Sequence, residues 1–168
     1  MMTRFRTIIL DKDILFKKIE AITYKYMEAS VPEGGDPVSA DTGDPLDKTI
    51  LSGILDARDA VLRLKLAWLL RPSCERVFTN SPAAKTEYRY DIAVDEQISD
   101  NTVAAAVTLM EDYFIKGALM DWYQKLGHKT DPDMANELQQ LESKVVSSFI
   151  PAFSHRRRVV HFSNTKIR

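Results

Sequence analysis

A chain of 168 residues, 45% apolar and 28% charged, is long enough to bury one core and too balanced in composition to stay disordered. The single cysteine, Cys74, excludes an intramolecular disulfide, and no Cys or His pair stands at zinc-binding spacing, so packing must supply the stability and no metal or cofactor is expected. The net charge of −1 conceals an uneven distribution: seven acidic residues lie between Glu33 and Asp59, whereas residues 154–168 carry Arg156, Arg157, Arg158, Lys166 and Arg168 without an acid.

Residues 1–10 place Arg4 and Arg6 before the apolar run Ile8, Ile9, Leu10, which is shorter than a signal peptide and ends at Asp11. No run reaches membrane-spanning length, so a cytoplasmic protein is expected. Asp11 is a good N-cap, and Leu10 with Leu15 has the spacing of a hydrophobic staple. Leu15, Ile19, Ile22 and Tyr26 then form one helical stripe that predicts a first helix ending near Ala29.

From Val31 to Asp44 the chain turns to Pro, Gly, Ser and Asp, an acidic loop unable to sustain helix. Asp44 followed by Pro45 starts a second helix, with Ile50, Ile54, Ala57, Val61, Leu64 and Trp68 as its stripe. Leu51, Leu55, Leu62, Leu66 and Leu69 widen that stripe, Asp59 and Arg63 form an i, i+4 pair on the remaining polar side, and Pro72 stops the helix. Tyr88, Tyr90, Ile92 and Val94 alternate with Glu87, Arg89, Asp91 and Ala93, the period of a strand with one wet face. Arg76 to Thr79 is the expected hairpin partner, within a hairpin spanning residues 75–94.

Ser99 caps a third helix that runs to Leu126 and ends at Gly127, with Ile98 and Val103 as a second staple. Its middle, Tyr113 to Met120, is apolar almost all round, which marks a helix that is central or covered by a partner. The fourth helix opens at Asp131 and Pro132, carries Met134, Leu138, Leu141, Val145 and Phe149 on one stripe, and stops before Pro151. The expected fold is therefore mainly α, a four-helix bundle-like single domain over residues 1–153 with a hairpin between helices two and three. Residues 154–168 form an extended basic C-terminal arm.

Chemistry is sparse. Asp41, Thr42, Gly43 match the tripeptide of aspartic proteases, but they sit in a Gly/Pro/Asp loop between helices, where a turn is the better reading. His128, His155 and His161 show no metal-binding spacing, Cys74 has no histidine nearby in sequence, and phosphate-loop and nucleophile-elbow motifs are absent. Trp68, Trp122, Tyr113, Phe114 and Tyr123 read as core at helical spacing rather than as a ligand pocket. No catalytic residue is assigned.

The segment Val103 to Leu126, VAAAVTLMEDYFIKGALMDWYQKL, resembles the apolar helix ending in tryptophan and tyrosine of some head-tail connector, or adaptor, proteins of tailed bacteriophages and prophages. The order of short helices around one long apolar helix, a hairpin and a basic arm is similar in outline, while the long acidic loop is a departure. The resemblance implies a ring-forming structural subunit of a virion that contacts a portal or neighbouring ring, without catalysis or cofactor. The interface residues expected on this reading are Tyr113 and Met120, as exposed positions of the third helix, together with Arg156, Arg157 and Arg158. The alternative is a small regulatory or nucleic-acid-associated helical protein that binds through its basic tail; the acidic segment disfavours a duplex laid across the body.

Overall fold

The computed structural model describes residues 3–30, 45–70, 85–126 and 132–150. In chain order these form β1 (Thr3–Asp11), α1 (Lys12–Ser30), α2 (Pro45–Lys65), β2 (Glu87–Asp95), α3 (Asp100–Lys125) and α4 (Pro132–Ser148). The protein is mostly helical, with one two-stranded antiparallel sheet.

β1 enters α1 without a loop. The Asp11 carboxylate accepts from the backbone N–H of Asp13 at 2.8 Å and of Ile14 at 3.2 Å, the cap read from the sequence, and both staple residues, Leu10 and Leu15, are buried. Ile19 is buried below Leu15, whereas Ile22 is 40% exposed, so the stripe loosens further along the helix. Thr23 is also buried; its hydroxyl donates to the Ile19 carbonyl at 3.1 Å, which satisfies it within the helix.

β2 forms where its alternation predicts, and its buried set Tyr88, Tyr90, Ile92 and Val94 has no solvent exposure. Its partner is the N-terminal segment: β1 pairs along all nine residues, with Ile8 opposite Tyr90 and Leu10 opposite Tyr88. The expected partner Arg76 to Thr79 lies outside the described residues; on that other edge Ala93 N–H donates to the Leu69 carbonyl and Leu70 bridges Ile92. β1 went unread because its first half inverts the usual polarity. Arg4 and Arg6 take the inward positions beside Ile8 and Leu10, while Phe5 and Ile9 are about half exposed. The arginines reach past the sheet: both pair with Asp100 in the first turn of α3, and Arg4 also donates to the Ile98 carbonyl.

α3 is capped by Ser99, whose hydroxyl accepts from the Thr102 N–H, and it packs against α1, α2 and α4. Met110, Tyr113, Phe114, Ile115, Ala118, Leu119 and Trp122 are all buried, so the near-continuous apolar surface of its middle is closed by the chain itself. α4 presents the stripe read from the sequence, with Leu138, Leu141, Val145 and Phe149 buried.

α2 corrects the expected orientation. Leu51, Ile54, Leu55 and Leu62 form its buried side, continued by Leu66 and Leu69 in the turn that follows the helix, whereas Val61 and Leu64 on the helix and Trp68 in that turn face solvent at 39%, 76% and 62% exposure. Trp68 is therefore not a core residue.

Candidate functional site

The densest set of polar side chains among the described residues lies between α2 and β2. Ser52, Asp56 and Asp59 recur at four and three residues along α2, which places them on one side of the helix, and Tyr88 and Tyr90 point toward them from alternate positions of β2. The Asp59 carboxylate accepts from the Tyr90 hydroxyl at 2.6 Å, from Arg63 Nε at 2.9 Å to either oxygen, and from Lys85 Nζ at 2.9 Å. One turn earlier, Asp56 accepts from the Tyr88 hydroxyl at 2.8 Å and from Lys12 Nζ at 2.9 Å, and Lys12 also donates to Ser52 Oγ at 2.7 Å.

The cations also lie over the rings. Arg63 is 4.7 Å from the Tyr90 centroid, and Lys12 and Lys85 are 5.6 and 6.0 Å from that of Tyr88. Beneath them Tyr88 stacks on Phe114 of α3 with centroids 5.0 Å apart. The Asp59–Arg63 pair read from the sequence exists, but its acid is fully buried rather than on a polar side.

Burial alone would raise the Asp59 acid, yet hydrogen bonds from Tyr90, Arg63 and Lys85 outweigh it and hold the group below the ordinary aspartate range. Burial, and then the adjacent carboxylates, push both tyrosines far above the ordinary phenol range, so they remain neutral donors. Both Asp59 oxygens are occupied by groups of the same chain, and the tyrosines stay protonated. This arrangement fastens a strand to a helix.

A second polar contact joins α2 to α3. Arg58 grips Asp121 with two nitrogens, Nε at 2.8 Å, and Gly117 lies under the guanidinium, where a Cβ would come within 3.0 Å of Arg58 Cδ and Nε. Burial opposes the Arg58 charge, but Asp121 outweighs it and raises the guanidinium further. The Tyr113 hydroxyl, buried beside this pair, makes no hydrogen bond of normal geometry among the described residues.

Between α1, α3 and α4 lies an open cleft of about 390 Å³, with Ile22, Ile115, Leu119 and Met134 on its walls and Asp112 and the Lys116–Glu137 ion pair at its rim. No group of three or more His, Cys, Asp or Glu side chains among the described residues is placed to hold a metal ion, and no described helix is long and apolar enough to cross a membrane.

Of the residues singled out in the sequence, Tyr113 is fully buried, which corrects its expected exposure, and Met120 is half-buried against the core. Arg156, Arg157, Arg158, the tripeptide Asp41, Thr42, Gly43, Cys74 and the three histidines lie outside the described residues. The Ser52, Asp56, Asp59 spacing and the paired tyrosines were visible in the sequence, but nothing local said that they face one another. Comparison with known proteins finds no matching family model, no similar curated protein and no similar solved structure.

Proposed function

We propose that this chain is a non-enzymatic structural or adaptor protein that works by oligomeric assembly. The observation that supports this reading is the solvent side of α2 and the turn after it, where Leu64 and Trp68 stand 76% and 62% exposed in a chain whose longest apolar helix is covered internally. On the resemblance of Val103 to Leu126, the assembly is of the phage head-tail connector kind, and its partners are further copies of the chain and a portal or neighbouring ring.

In this reading the helices form a bundle-like body and residues 154–168 a basic arm. Arg156, Arg157 and Arg158 meet carboxylates of a neighbour, the acidic loop of residues 31–44, with Glu33, Asp36, Asp41 and Asp44, being the complementary segment. Tyr113 drops out of the interface because its own chain covers it.

Light scattering on the intact chain and on a chain ending at residue 153 tests this. The intact chain is expected to self-associate, and the shortened one to associate more weakly. Raising salt from about 0.05 to 0.5 M should weaken the intact chain toward the shortened one, since screening shortens the reach of exposed charges. A monomeric intact chain at about 100 μM ends the assembly reading, and identical association of the two chains ends the role of the arm.

A further inference from the structure

β1 is an open edge of its sheet. The far edge of β2 is met by its own chain, where Ala93 N–H donates to the Leu69 carbonyl and Leu70 bridges Ile92. β1 has β2 on one side and no second strand beside it among the described residues.

The register fixes where each backbone group of β1 points. Lys12 N–H donates to the Thr86 carbonyl one step beyond the Asp11–Glu87 pair, so the even-numbered residues of β1 turn N–H and C=O toward β2 and the odd-numbered residues turn theirs away. The backbone groups of Thr7 and Ile9 therefore line the open edge, and no described residue bonds them there.

Chains guard such an edge with proline, a bulge or a lysine. β1 has none of these: all nine residues pair without interruption, and its wet face carries Phe5 and Ile9, each about half exposed. Charge sits one strand further in, at Glu87, Arg89, Asp91 and Asp95 of β2. Arg4 and Arg6 point to the other face and are held by Asp100. A sheet that ended at β1 would carry these two sets in the reverse order, with charge on the rim. Unbonded N–H and C=O groups also specify the chemistry of what completes them, which is another extended strand.

We infer that two copies of this chain join β1 to β1 and merge their sheets into one of four strands; this rests on the assembly reading above and names the surface the copies share. The pattern of β1 is self-complementary, because Phe5 and Ile9 stand two residues to either side of Thr7. With a two-fold axis at Thr7, Thr7 faces its counterpart and Phe5 faces Ile9 of the second copy, all at positions whose backbone groups point outward. The same register sets aromatic against β-branched side chains across the join, a favoured cross-strand pair. The strands run antiparallel, since a two-fold axis that kept them parallel would turn the buried face of one copy to water.

The test uses the full chain, with amide hydrogen exchange and sedimentation equilibrium on wild type, Thr7→Pro, Ile9→Glu and the control Leu126→Glu, an exposed site at the end of α3. Thr7→Pro removes an outward N–H and no bond to β2, and Ile9→Glu faces Arg89 within its own sheet. In wild type the Thr7 and Ile9 amides should be protected at concentrations where the chain is associated and exchange freely on dilution. Thr7→Pro and Ile9→Glu should keep the wild-type circular dichroism and weaken association at least about tenfold. Leu126→Glu should associate like wild type. Free exchange at Thr7 and Ile9 in the associated wild-type chain, or unchanged association of both folded variants, overturns the β1 join while assembly through another surface stands. A monomeric wild type ends both readings together.

Discussion

Asp59 shows how one residue is committed by its surroundings. A carboxylate without solvent contact survives as an ion only if charge-assisted hydrogen bonds replace its hydration, and Tyr90, Arg63 and Lys85 supply them. Asp59→Asn keeps the shape and removes the charge. We expect a loss of about 2–3 kcal/mol near pH 7, below the cost of stranding a fully buried partner because Arg63 and Lys85 can turn to water. The acid has a folded-state pKa below its unfolded value near 4, so its contribution is full above about pH 4 and fades as pH falls through the lower folded value. Urea unfolding from pH 7 to pH 2 should therefore show the gap between wild type and Asp59→Asn narrowing below about pH 4. A gap constant over that range contradicts the assignment. The Asp59–Arg63 spacing was legible in the sequence, but its depth was not, because β2 is what excludes water from it and β2 is distant in the chain.

Among elements, the α2–α3 contact depends on an absence. Gly117 lets Arg58 cross α3 and grip Asp121, and a methyl group there would press on a side chain already held at its far end. Gly117→Ala should thus destabilise wild type by about 1 kcal/mol despite alanine's better helix propensity. In an Arg58→Ala background the same change should become neutral or stabilising by up to about 1 kcal/mol, a coupling that a double-mutant cycle by chemical denaturation measures. Equal effects in both backgrounds would show that Arg58 yields freely. α2 also explains the misread orientation. Its second half is apolar on two opposite sides, so periodicity offers two stripes, and only the positions of α3 and β2 decide that Leu62 and Leu66 go inward while Leu64 stays out.

At the scale of the whole molecule, the core depends on residues 3–11 pairing with a strand 76 to 92 positions away, from Asp11 opposite Glu87 to Thr3 opposite Asp95. That strand buries Ile8 and Leu10 and covers the edge of Tyr88 and Tyr90. Losing the two aliphatic side chains alone costs about 4–8 kcal/mol, comparable with the about 5–15 kcal/mol that holds a typical domain together. Removing residues 1–11 should abolish the cooperative urea transition followed by circular dichroism; a sharp transition in the shortened chain would show that the helices hold without the sheet. What the sequence determined by itself was local: the Asp11 and Ser99 caps, the helices announced by prolines at their first positions, the α4 stripe and the alternation of β2, all set within a few residues by propensity and period. The tertiary structure decided the rest: β1 as the partner of β2, the burial of Asp59 and Tyr113, and the inward side of α2. These depend on which distant segments exclude water from which surface, and a chain that places Arg4 and Arg6 inward while leaving Leu64 and Trp68 outward hides that choice from any local pattern.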